Sequence, residues 1–375
     1  MDLTAERVRA RIAALATAGL DVATFTDAAC EVLNRALPFA VACLATTDPA
    51  TKLVTGGAKW GSEVTDDFDE QWAYFEYDGP EPYHFQNQMV QAGGVSTAVR
   101  ETGGDIAASA RFTDFFVPHW DFHDEARIAL DTDGTAWGYL SLFRDGHGAT
   151  FTATDLDVLL GVRAALAVGL RVGLLAAIPT EPVPAVDGPA VLVVDRADEL
   201  VQASVGAAAM IAELGGGPIG ETPLPLWLRV LVGAARQFHT GRFPSVPRTR
   251  MRSRTGRWVV AQASPLLARD GTGTDVVLTV EEARPPEIVP LVVAAFGLTR
   301  REQDVVALVL QGIDTGEVAR TLQLSGYTVQ DHLKSIFTKA GVRSRRELIA
   351  KVFYDQYAPR MATGTGVGVS GWFSS

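Results

Sequence analysis

The chain has 375 residues, of which 47% are hydrophobic and 21% are charged, so it is long enough for several domains with sizeable cores. Its formal net charge is −11, which excludes a uniformly basic nucleic-acid-binding surface. The charge is uneven, since residues 1–150 carry 23 acidic against 10 basic side chains and the rest carries 21 against 23. The longest apolar run, residues 164–178, is interrupted by Arg171 and is shorter than a membrane-spanning helix requires.

Two cysteines occur, Cys30 and Cys43, and both fall in apolar segments. This is typical of small buried side chains in a reducing compartment, and a redox pair is the alternative. The first residues alternate arginine with alanine and leucine, as in a helix of a soluble protein and unlike a secretory signal. We therefore expect a cytoplasmic protein that does not enter a membrane.

Residues 1–178 are predicted to form one α+β domain. Its hairpin turns at Asp133-Gly134, and Thr152 with Asp155 caps a long last helix. The other predicted elements are helices over about 3–18 and 22–36 and strands over about 40–46, 53–58, 127–132 and 136–143. With its Phe151-Thr152-x-x-Asp155 helix entry and its Gly138-Tyr139-Leu140 strand, this region resembles a GAF domain. The resemblance implies a sensory domain whose sheet and variable insertion enclose a small ligand.

The predicted insertion, residues 62–123, is rich in aromatic side chains. These side chains either build the core of the domain or line an apolar ligand pocket, and the sequence leaves both interpretations open. The insertion has no glycine-rich phosphate loop, which argues against a nucleotide ligand. The candidate ligand-binding residues are Trp72, Tyr74, Phe75, Phe116, Trp120 and Phe122.

His119 and His123 would be spaced as metal ligands on a helix, but they precede a predicted strand, and a polar loop is the preferred interpretation. No serine or cysteine of the sequence falls in a recognisable nucleophile motif. We therefore predict no metal site, no cofactor and no enzymatic activity.

Residues 179–189 are rich in proline and are predicted to be a linker. Residues 190–283 then show two strands, two helices and three further strands, an order that resembles a PAS domain. Four arginines in this region alternate with other residues and share one face of a strand: Arg248, Arg250, Arg252 and Arg254. That face is open to three interpretations, namely a solvated surface, a dock for the acidic first domain, or a DNA contact.

Residues 298–349 contain three amphipathic segments separated by short breaks, the layout of a helix-turn-helix. Thr299 and Glu302 form a capping box, and Ser325 is the expected cap of the third helix. A stripe at helical spacing faces the core of that helix and consists of Val329, Leu333, Ile336, Phe337 and Ala340. A fourth helix is expected to follow Ser344.

Fixed spacings relate this segment to a known family. They are Leu298-Thr299-x-Arg301-Glu302, Gly312, Val318-Ala319-x-x-Leu322, Ser325-x-x-Thr328-Val329-x-x-His332 and Ile336-x-x-Lys339-x-Gly341-Val342. The pattern resembles the DNA-binding domain of LuxR/FixJ-type transcription regulators, which implies an all-α four-helix domain over residues 290–357. Residues 358–375 are poor in core-forming side chains and are predicted to be a disordered tail.

The third helix carries the predicted DNA contacts. Gln330, Asp331 and Lys334 are expected to enter the major groove, where Asp331 can accept a hydrogen bond from a cytosine amino group. His332 either donates to a phosphate or packs between helices. The resemblance implies DNA backbone contacts from the basic residues that follow. The predicted contact set is Thr328, Val329, Gln330, Asp331, His332, Lys334, Ser335, Lys339, Arg343 and Arg345.

Together these features predict a multidomain protein, with two α+β sensory domains followed by an all-α helix-turn-helix domain. The expected function is one-component transcription regulation, in which a homodimer binds operator DNA and responds to a small molecule or a protein partner. A sensory or scaffold protein that uses the helix-turn-helix as a dimer module is the alternative. A response regulator and an enzyme are disfavoured because the sequence shows neither a receiver-type acidic pair nor a catalytic constellation.

Overall fold

The computed structural model describes residues 3–61, 66–78, 94–132, 134–176, 188–267 and 275–353. The chain divides into two compact units. The N-terminal unit comprises residues 1–177, 188–253 and 259–281, and the C-terminal unit comprises residues 178–187, 254–258 and 282–375. None of the described helices is both long and apolar enough to span a membrane.

The first half of the N-terminal unit contains an antiparallel sheet with the strand order β2-β1-β5-β4-β3. Its strands are β1 (Val41–Thr47), β2 (Val54–Gly61), β3 (Val95–Thr97), β4 (Phe122–Thr132) and β5 (Thr135–Asp145). Its helices are α1 (Leu3–Ala16), α2 (Val22–Asn34), α3 (Asp66–Ala73), α4 (Ala98–Glu101), α5 (Val117–Trp120) and α6 (Ala153–Leu174). Two π-helical segments (Tyr74–Asp78 and Arg111–Phe116) and a 3₁₀ turn (Ile106–Ala108) complete it.

The two faces of this sheet are covered differently, because successive side chains of a strand point to opposite faces. Helices α1, α2 and α6 form the layer on one face, where a side chain at Gly138 would collide with the Leu170 methyl and the Ala45 carbonyl. Only glycine fits at this position, which explains the Gly138-Tyr139-Leu140 strand motif. The opposite face carries Tyr139 and Phe143, which pack into an aromatic cluster.

The second half of the N-terminal unit repeats this arrangement of strands. Its sheet has the order β7-β6-β10-β9-β8, which matches the first sheet strand for strand. The strands are β6 (Ala190–Val194), β7 (Leu200–Ala203), β8 (Arg248–Arg252), β9 (Trp258–Leu266) and β10 (Asp275–Glu282), and the helices are α7 (Ala207–Glu213) and α8 (Leu226–His239). The prediction of two successive α+β regions is therefore confirmed.

Helix α8 is buried on nearly all sides. It contacts β2, α3 and the π-helical segment Tyr74–Asp78 of the first half, while Arg236 donates to the Asp195 carbonyl at the end of β6 (2.8 Å). The apolar residues of α8 belong to one hydrophobic core with residues of both halves of the unit, while Arg229 and Arg236 pair with Glu70 and Asp198. Its fully buried residues are Leu228, Val230, Leu231, Val232, Ala234 and Ala235.

The arginine strand β8 docks onto the first half of the unit. The guanidinium of Arg250 donates twice to the Asp48 carboxylate, at 2.8 and 2.7 Å, and the Arg250 amide donates to the same carboxylate at 2.8 Å. Arg252 donates to the carbonyls of Leu174 (3.2 Å) and Ala176 (2.6 Å), just beyond the end of α6. Of the three interpretations of this strand face, the structure confirms docking onto the first domain, and it does so for Arg250 and Arg252.

The C-terminal unit is helical, as predicted, but its described part has five helices. They are α9 (Pro285–Ala295), α10 (Arg300–Leu310), α11 (Thr315–Thr321), α12 (Gly326–Ala340) and α13 (Arg345–Phe353). The four predicted helices are present as α10–α13, and α9 is an additional helix that precedes them because residues 284–286 begin a helix. Proline is well suited to the first helical position, where no amide hydrogen is needed, and Glu287 accepts from the Arg284 amide at 2.7 Å. Helix α9 packs against α13.

Some predicted features lie outside the described residues. These are most of the linker 179–189, Asp133 of the hairpin turn and the tail 358–375. The last helix of the first half ends at Leu174, earlier than the predicted residue 178. Both cysteines are free: Cys30 is buried and Cys43 is half-buried. Burial raises the pKa of the Cys30 thiol to about 12, which disfavours the reactive thiolate.

Replacing Asp48 with Asn is expected to destabilise the N-terminal unit by about 3 kcal/mol, because it leaves the Arg250 guanidinium without its carboxylate in a nearly buried site. The matched control is Glu31→Gln, which removes an exposed i,i+4 pair with Arg35 and should cost about 0.5 kcal/mol or less. Denaturant unfolding of the full chain, followed by tryptophan fluorescence, measures both variants. Equal stability of the two variants would show that the Asp48–Arg250 contact does not hold the halves together.

Candidate functional site

The described helices of the C-terminal unit are fixed by local capping. Thr299 accepts from the Glu302 amide and Glu302 accepts from the Thr299 amide, which is the predicted capping box of α10. Ser325 accepts from the Thr328 amide at 3.0 Å and caps α12. At the other end of α12, Gly341 adopts a left-handed conformation (φ 63°) that favours glycine. These caps set where α12 begins and ends.

Helix α12 has one buried and one exposed face. Val329, Leu333, Ile336 and Ala340 are buried in the unit, as the apolar spacing predicts, and Phe337 is half-buried. The opposite face is open to solvent, and the side chain of Lys334 is 74% exposed. Lys334 forms an i,i+3 contact with Asp331 at 3.4 Å. The exposed residues of this face are Tyr327, Gln330, Asp331, Lys334 and Thr338.

Glu302 connects the start of α10 to the last turns of α12. This buried carboxylate accepts from the Thr299 amide (2.7 Å), the Ser335 hydroxyl (2.6 Å) and the Lys339 ammonium (2.6 Å). Burial opposes ionisation, but the hydrogen bonds from Lys339, Ser335 and Thr299 outweigh it and lower the pKa of Glu302 to about 2. An ionised Glu302 therefore fixes the rotation of α12 about its own axis.

Two of the predicted DNA contacts have other roles in the structure. Val329 is fully buried, so it is a core residue and its assignment to the contact set is wrong. Arg345 donates to the carbonyl of Val309, in the last turn of α10, and to that of Ile313 just after the helix, where a cation stabilises the helix terminus. These bonds occupy the Arg345 guanidinium, and a DNA contact by this residue has no support in its geometry.

The remaining predicted contacts are placed in different ways. Gln330, Asp331, Lys334, Lys339 and Arg343 are exposed, whereas Thr328, His332 and Ser335 are half-buried. The Thr328 hydroxyl bonds to Ser325 within the cap (2.8 Å). The roles of Ser335 and Lys339 as ligands of Glu302 were not predicted, since residues 33 and 37 positions apart give no local signal.

The N-terminal unit contains a cavity of about 570 Å³, which we call the sensor cavity. The first half of the unit supplies walls from β1, β2, β5 and α3, and the second half supplies the segments 214–217 and 222–227, at the start of α8. Of the six predicted ligand-binding residues, Trp72 lines this cavity. Its other lining side chains include Cys43, Ala45, Lys59, Phe68, Asp69, Tyr139, Ser141 and Trp227.

The other predicted ligand-binding residues lie elsewhere. Phe116 and Phe122 pack against Phe143 in the aromatic cluster, with ring centroids 5.1 and 4.9 Å apart, as the core interpretation predicts. Trp120 packs edge-on against Phe115 at 5.0 Å. Tyr74 and Phe75 border a smaller depression beside α3. The structure therefore does not bring the six residues together around one pocket.

A buried ionic network lies on the same side of the first sheet and was not predicted. Arg127 contacts Glu76 (2.9 Å) and Glu125 (2.8 Å), and Arg111 contacts Glu76 at 3.2 Å. The Ser141 hydroxyl donates to Glu125 at 2.8 Å and links the network to the cavity wall. Burial raises the pKa of Glu125 to about 8, against the opposing effect of Arg111. Glu76 and Arg111 both lie on π-helical segments, which often occur at functional sites.

The two histidines considered as metal ligands are engaged separately. His119 Nδ1 lies 2.9 Å from the Phe115 carbonyl oxygen, and His123 Nε2 lies 2.9 Å from the Asp121 carboxylate. His119 belongs to α5 and His123 to β4, so the two positions do not share one helix. Their arrangement gives no support to a joint role as metal ligands.

Helices α10–α13, with the exposed polar face of α12, define a helix-turn-helix DNA-binding domain. Residues 297–352 match the family model of bacterial regulatory proteins of the luxR family. The C-terminal unit therefore contains a LuxR-family helix-turn-helix domain, and the resemblance found in the sequence is confirmed.

Two curated proteins are similar to parts of this chain. A candidate HTH-type transcriptional regulator from the exeN 3′ region of Aeromonas salmonicida is 37% identical over 90 residues, which cover 23% of this chain and 43% of that protein. The monoamine regulon transcriptional regulator of Klebsiella aerogenes is 38% identical over 56 residues, which cover 15% of this chain and 25% of that protein. The chain thus matches less than half of the length of these relatives.

Solved structures show more distant likeness. The GAF domain of an Acinetobacter phosphoenolpyruvate-protein phosphotransferase has 10% identity and a TM-score of 0.31, over 45% of this chain and 94% of that one. Escherichia coli SdiA has 12% identity and a TM-score of 0.27, over 94% and 90%. Vibrio cholerae VqmA, solved with ligand and DNA, has 19% identity and a TM-score of 0.23, over 46% and 84%. The strand order and packing of this chain define its fold independently of these structures.

Acid should weaken the C-terminal unit through Glu302. Because the pKa of this carboxyl is lowered to about 2 from the unperturbed value of 4.5, its contribution to stability is complete above pH 4.5 and is lost as the pH falls towards 2. We expect Glu302→Gln to destabilise the unit at pH 7 and to remove this part of the acid dependence. Far-UV circular dichroism melts between pH 7 and pH 3 measure both effects. A variant with the acid dependence of the parent chain would contradict the role of Glu302.

Proposed function

We propose that this chain is a one-component transcription regulator whose C-terminal unit binds operator DNA through α12. The exposed Gln330-Asp331-x-x-Lys334 face on a rigidly capped helix is the observation that carries the proposal. A helix of this kind enters the major groove with a few side chains at base edges while its apolar stripe holds it on the bundle. The protein acts in the cytoplasm, where the DNA is, and it works by binding and not by catalysis.

The charges of the C-terminal unit favour recognition of base sequence over nonspecific attachment to the DNA backbone. Residues 298–353 carry 9 basic against 6 acidic residues, so the nonspecific electrostatic attraction to phosphates is modest. Lys334 and Arg343 supply exposed positive charge around α12, whereas the Lys339 ammonium is paired with Glu302. Asp331 repels phosphate and is useful only where it accepts a hydrogen bond from a base edge, for which cytosine offers an amino group. We therefore assign affinity to the cations and discrimination to Asp331.

We propose that the protein binds DNA as a homodimer and that the N-terminal unit controls this binding. Modest affinity for each half-site makes pairing of two copies on a two-fold operator advantageous. The exposed residues of α13, Arg346 and Glu347, are the candidate dimer contact in the C-terminal unit. A small molecule held by the N-terminal unit would regulate binding to the extent that it prefers one arrangement of the dimer.

Replacing Lys334 with Ala is expected to weaken operator binding by about ten-fold or more and to reduce the slope of log affinity against log salt by about one contact. The probe is the duplex consensus selected from random DNA by the parent protein, and fluorescence anisotropy at several salt concentrations is the measurement. Arg35→Ala, which removes an exposed basic side chain of the N-terminal unit, is the control and should leave the affinity nearly unchanged. Unaltered binding by Lys334→Ala would refute the groove assignment. Absence of any DNA binding by an intact dimer would instead favour the scaffold function.

Replacing Asp331 with Ala should broaden sequence preference without a comparable loss of affinity. The substitution removes both a repulsion from phosphate and the acceptor proposed for a cytosine amino group, a contact worth about 1–3 kcal/mol of discrimination. Selection from random duplexes with parent and variant should therefore show relaxed preference at one base pair of each half-site. An unchanged consensus would show that Asp331 does not read a base.

A further inference from the structure

The sensor cavity is bounded by both halves of the N-terminal unit. Its first wall is the sheet face that carries Ala45, Tyr139 and Ser141, and its second wall is the chain that leads into α8. A volume of about 570 Å³ is in the range of cavities that hold small organic ligands. A molecule that fills the cavity would contact both halves of the N-terminal unit.

The walls of the cavity are electrically balanced. Among its lining residues the charged side chains are Lys59 and Asp69, whose ammonium and carboxylate lie 2.8 Å apart. Both side chains are mostly buried, with 30% and 25% exposed, so each depends on the other for neutralisation. A ligand with a net charge would have to break this pair or bring an unpaired charge into a poorly solvated site. An uncharged ligand avoids both costs.

The remaining walls are largely aromatic and aliphatic. Trp72 and Phe68 of α3 and Trp227 of α8 offer ring surfaces, and the Lys59 ammonium lies 5.4 Å from the Phe68 ring centroid. The indole Nε1 of Trp227 is buried, so this residue presents ring carbon atoms and not its N–H group to the cavity.

We propose that the sensor cavity is the effector site and that its ligand is an uncharged, mostly apolar small molecule with a polar group at one end. The apolar part packs against Phe68, Trp72 and Trp227, and the polar group meets the intact Lys59–Asp69 pair. Because the ligand bridges the two halves beside α8, it stabilises the arrangement of the N-terminal unit to which it binds. This site rests on the sensing role proposed above, although its binding test requires no DNA.

Two dyes with the same ring system test the charge rule on the full chain. N-phenyl-1-naphthylamine is uncharged, and 8-anilino-1-naphthalenesulfonate carries a sulfonate. The uncharged dye should bind one site per chain about ten-fold more tightly than the sulfonate, because the sulfonate would have to displace Asp69 from Lys59. Fluorescence titration measures both. Equal or tighter binding of the sulfonate would overturn the proposal.

Variants locate the site. Asp69→Asn leaves Lys59 without its partner, so the sulfonate should gain about ten-fold in affinity while the uncharged dye is unaffected. The matched control is Asp131→Asn, which removes an ion pair of similar exposure between Asp131 and Arg163, away from the cavity. If Asp69→Asn, like the control, leaves the affinity for the sulfonate dye unchanged, the assignment of the dye site to the sensor cavity is refuted.

A filling variant gives a second, independent test. Ala45→Leu adds bulk at the cavity wall and should abolish binding of the uncharged dye, whereas Ala203→Leu, on the exposed edge strand β7, should leave it unchanged. If Ala45→Leu does not fold, the Asp69 series still decides the question. Retained dye binding in a folded Ala45→Leu variant would overturn the site. Loss of DNA binding by Lys334→Ala has no bearing on these titrations, so the two proposals fail separately.

Discussion

Burial of the apolar residues of α8 is the constraint on which the N-terminal unit depends. These leucine, valine and alanine side chains pack in one core with residues of both halves of the unit. The first half contributes β2, α3 and a π-helical segment to this core, and the second half contributes apolar side chains of its own sheet. The two α+β regions therefore form one compact unit. The sensor cavity lies where this helix begins.

Polar contacts then set the orientations of individual strands and helices, which apolar burial alone does not define. Asp48 holds Arg250 by three hydrogen bonds and so sets where the edge strand β8 lies on the first half. In the C-terminal unit, Glu302 performs the same task for α12 through Ser335 and Lys339. Hydrophobic stripes are tolerant of small rotations, whereas charge-assisted hydrogen bonds are directional. The base contacts proposed for Gln330 and Lys334 require that direction, because a small rotation of α12 about its axis would displace both side chains.

Regions formed by interactions between residues close in sequence could be predicted, whereas features formed between distant residues could not. The helix-turn-helix was found from sequence because its signals are local: a capping box at Thr299, a cap at Ser325 and an apolar stripe from Val329 to Ala340. Most strands of both sheets were predicted for the same reason, but β3 was missed within the insertion and β4 begins at Phe122, five residues before the predicted strand. The sensor cavity was not found, since its walls come from residues far apart in the chain. Of the six aromatic candidates predicted in the insertion, Trp72 alone lines the cavity.

The sequence by itself determined the class of the protein: two α+β regions, a LuxR-family helix-turn-helix domain, and an exposed polar face on its third helix. Periodicity, caps and turns act over a few residues, so they can be read without coordinates. Tertiary structure alone decided that Val329 is core, that Arg345 holds helix-end carbonyls, and that Glu76, Arg111, Glu125 and Arg127 share one buried network. It also decided where the cavity lies. Each of these depends on which distant side chains meet, and pairing across the chain leaves no periodic trace in the sequence.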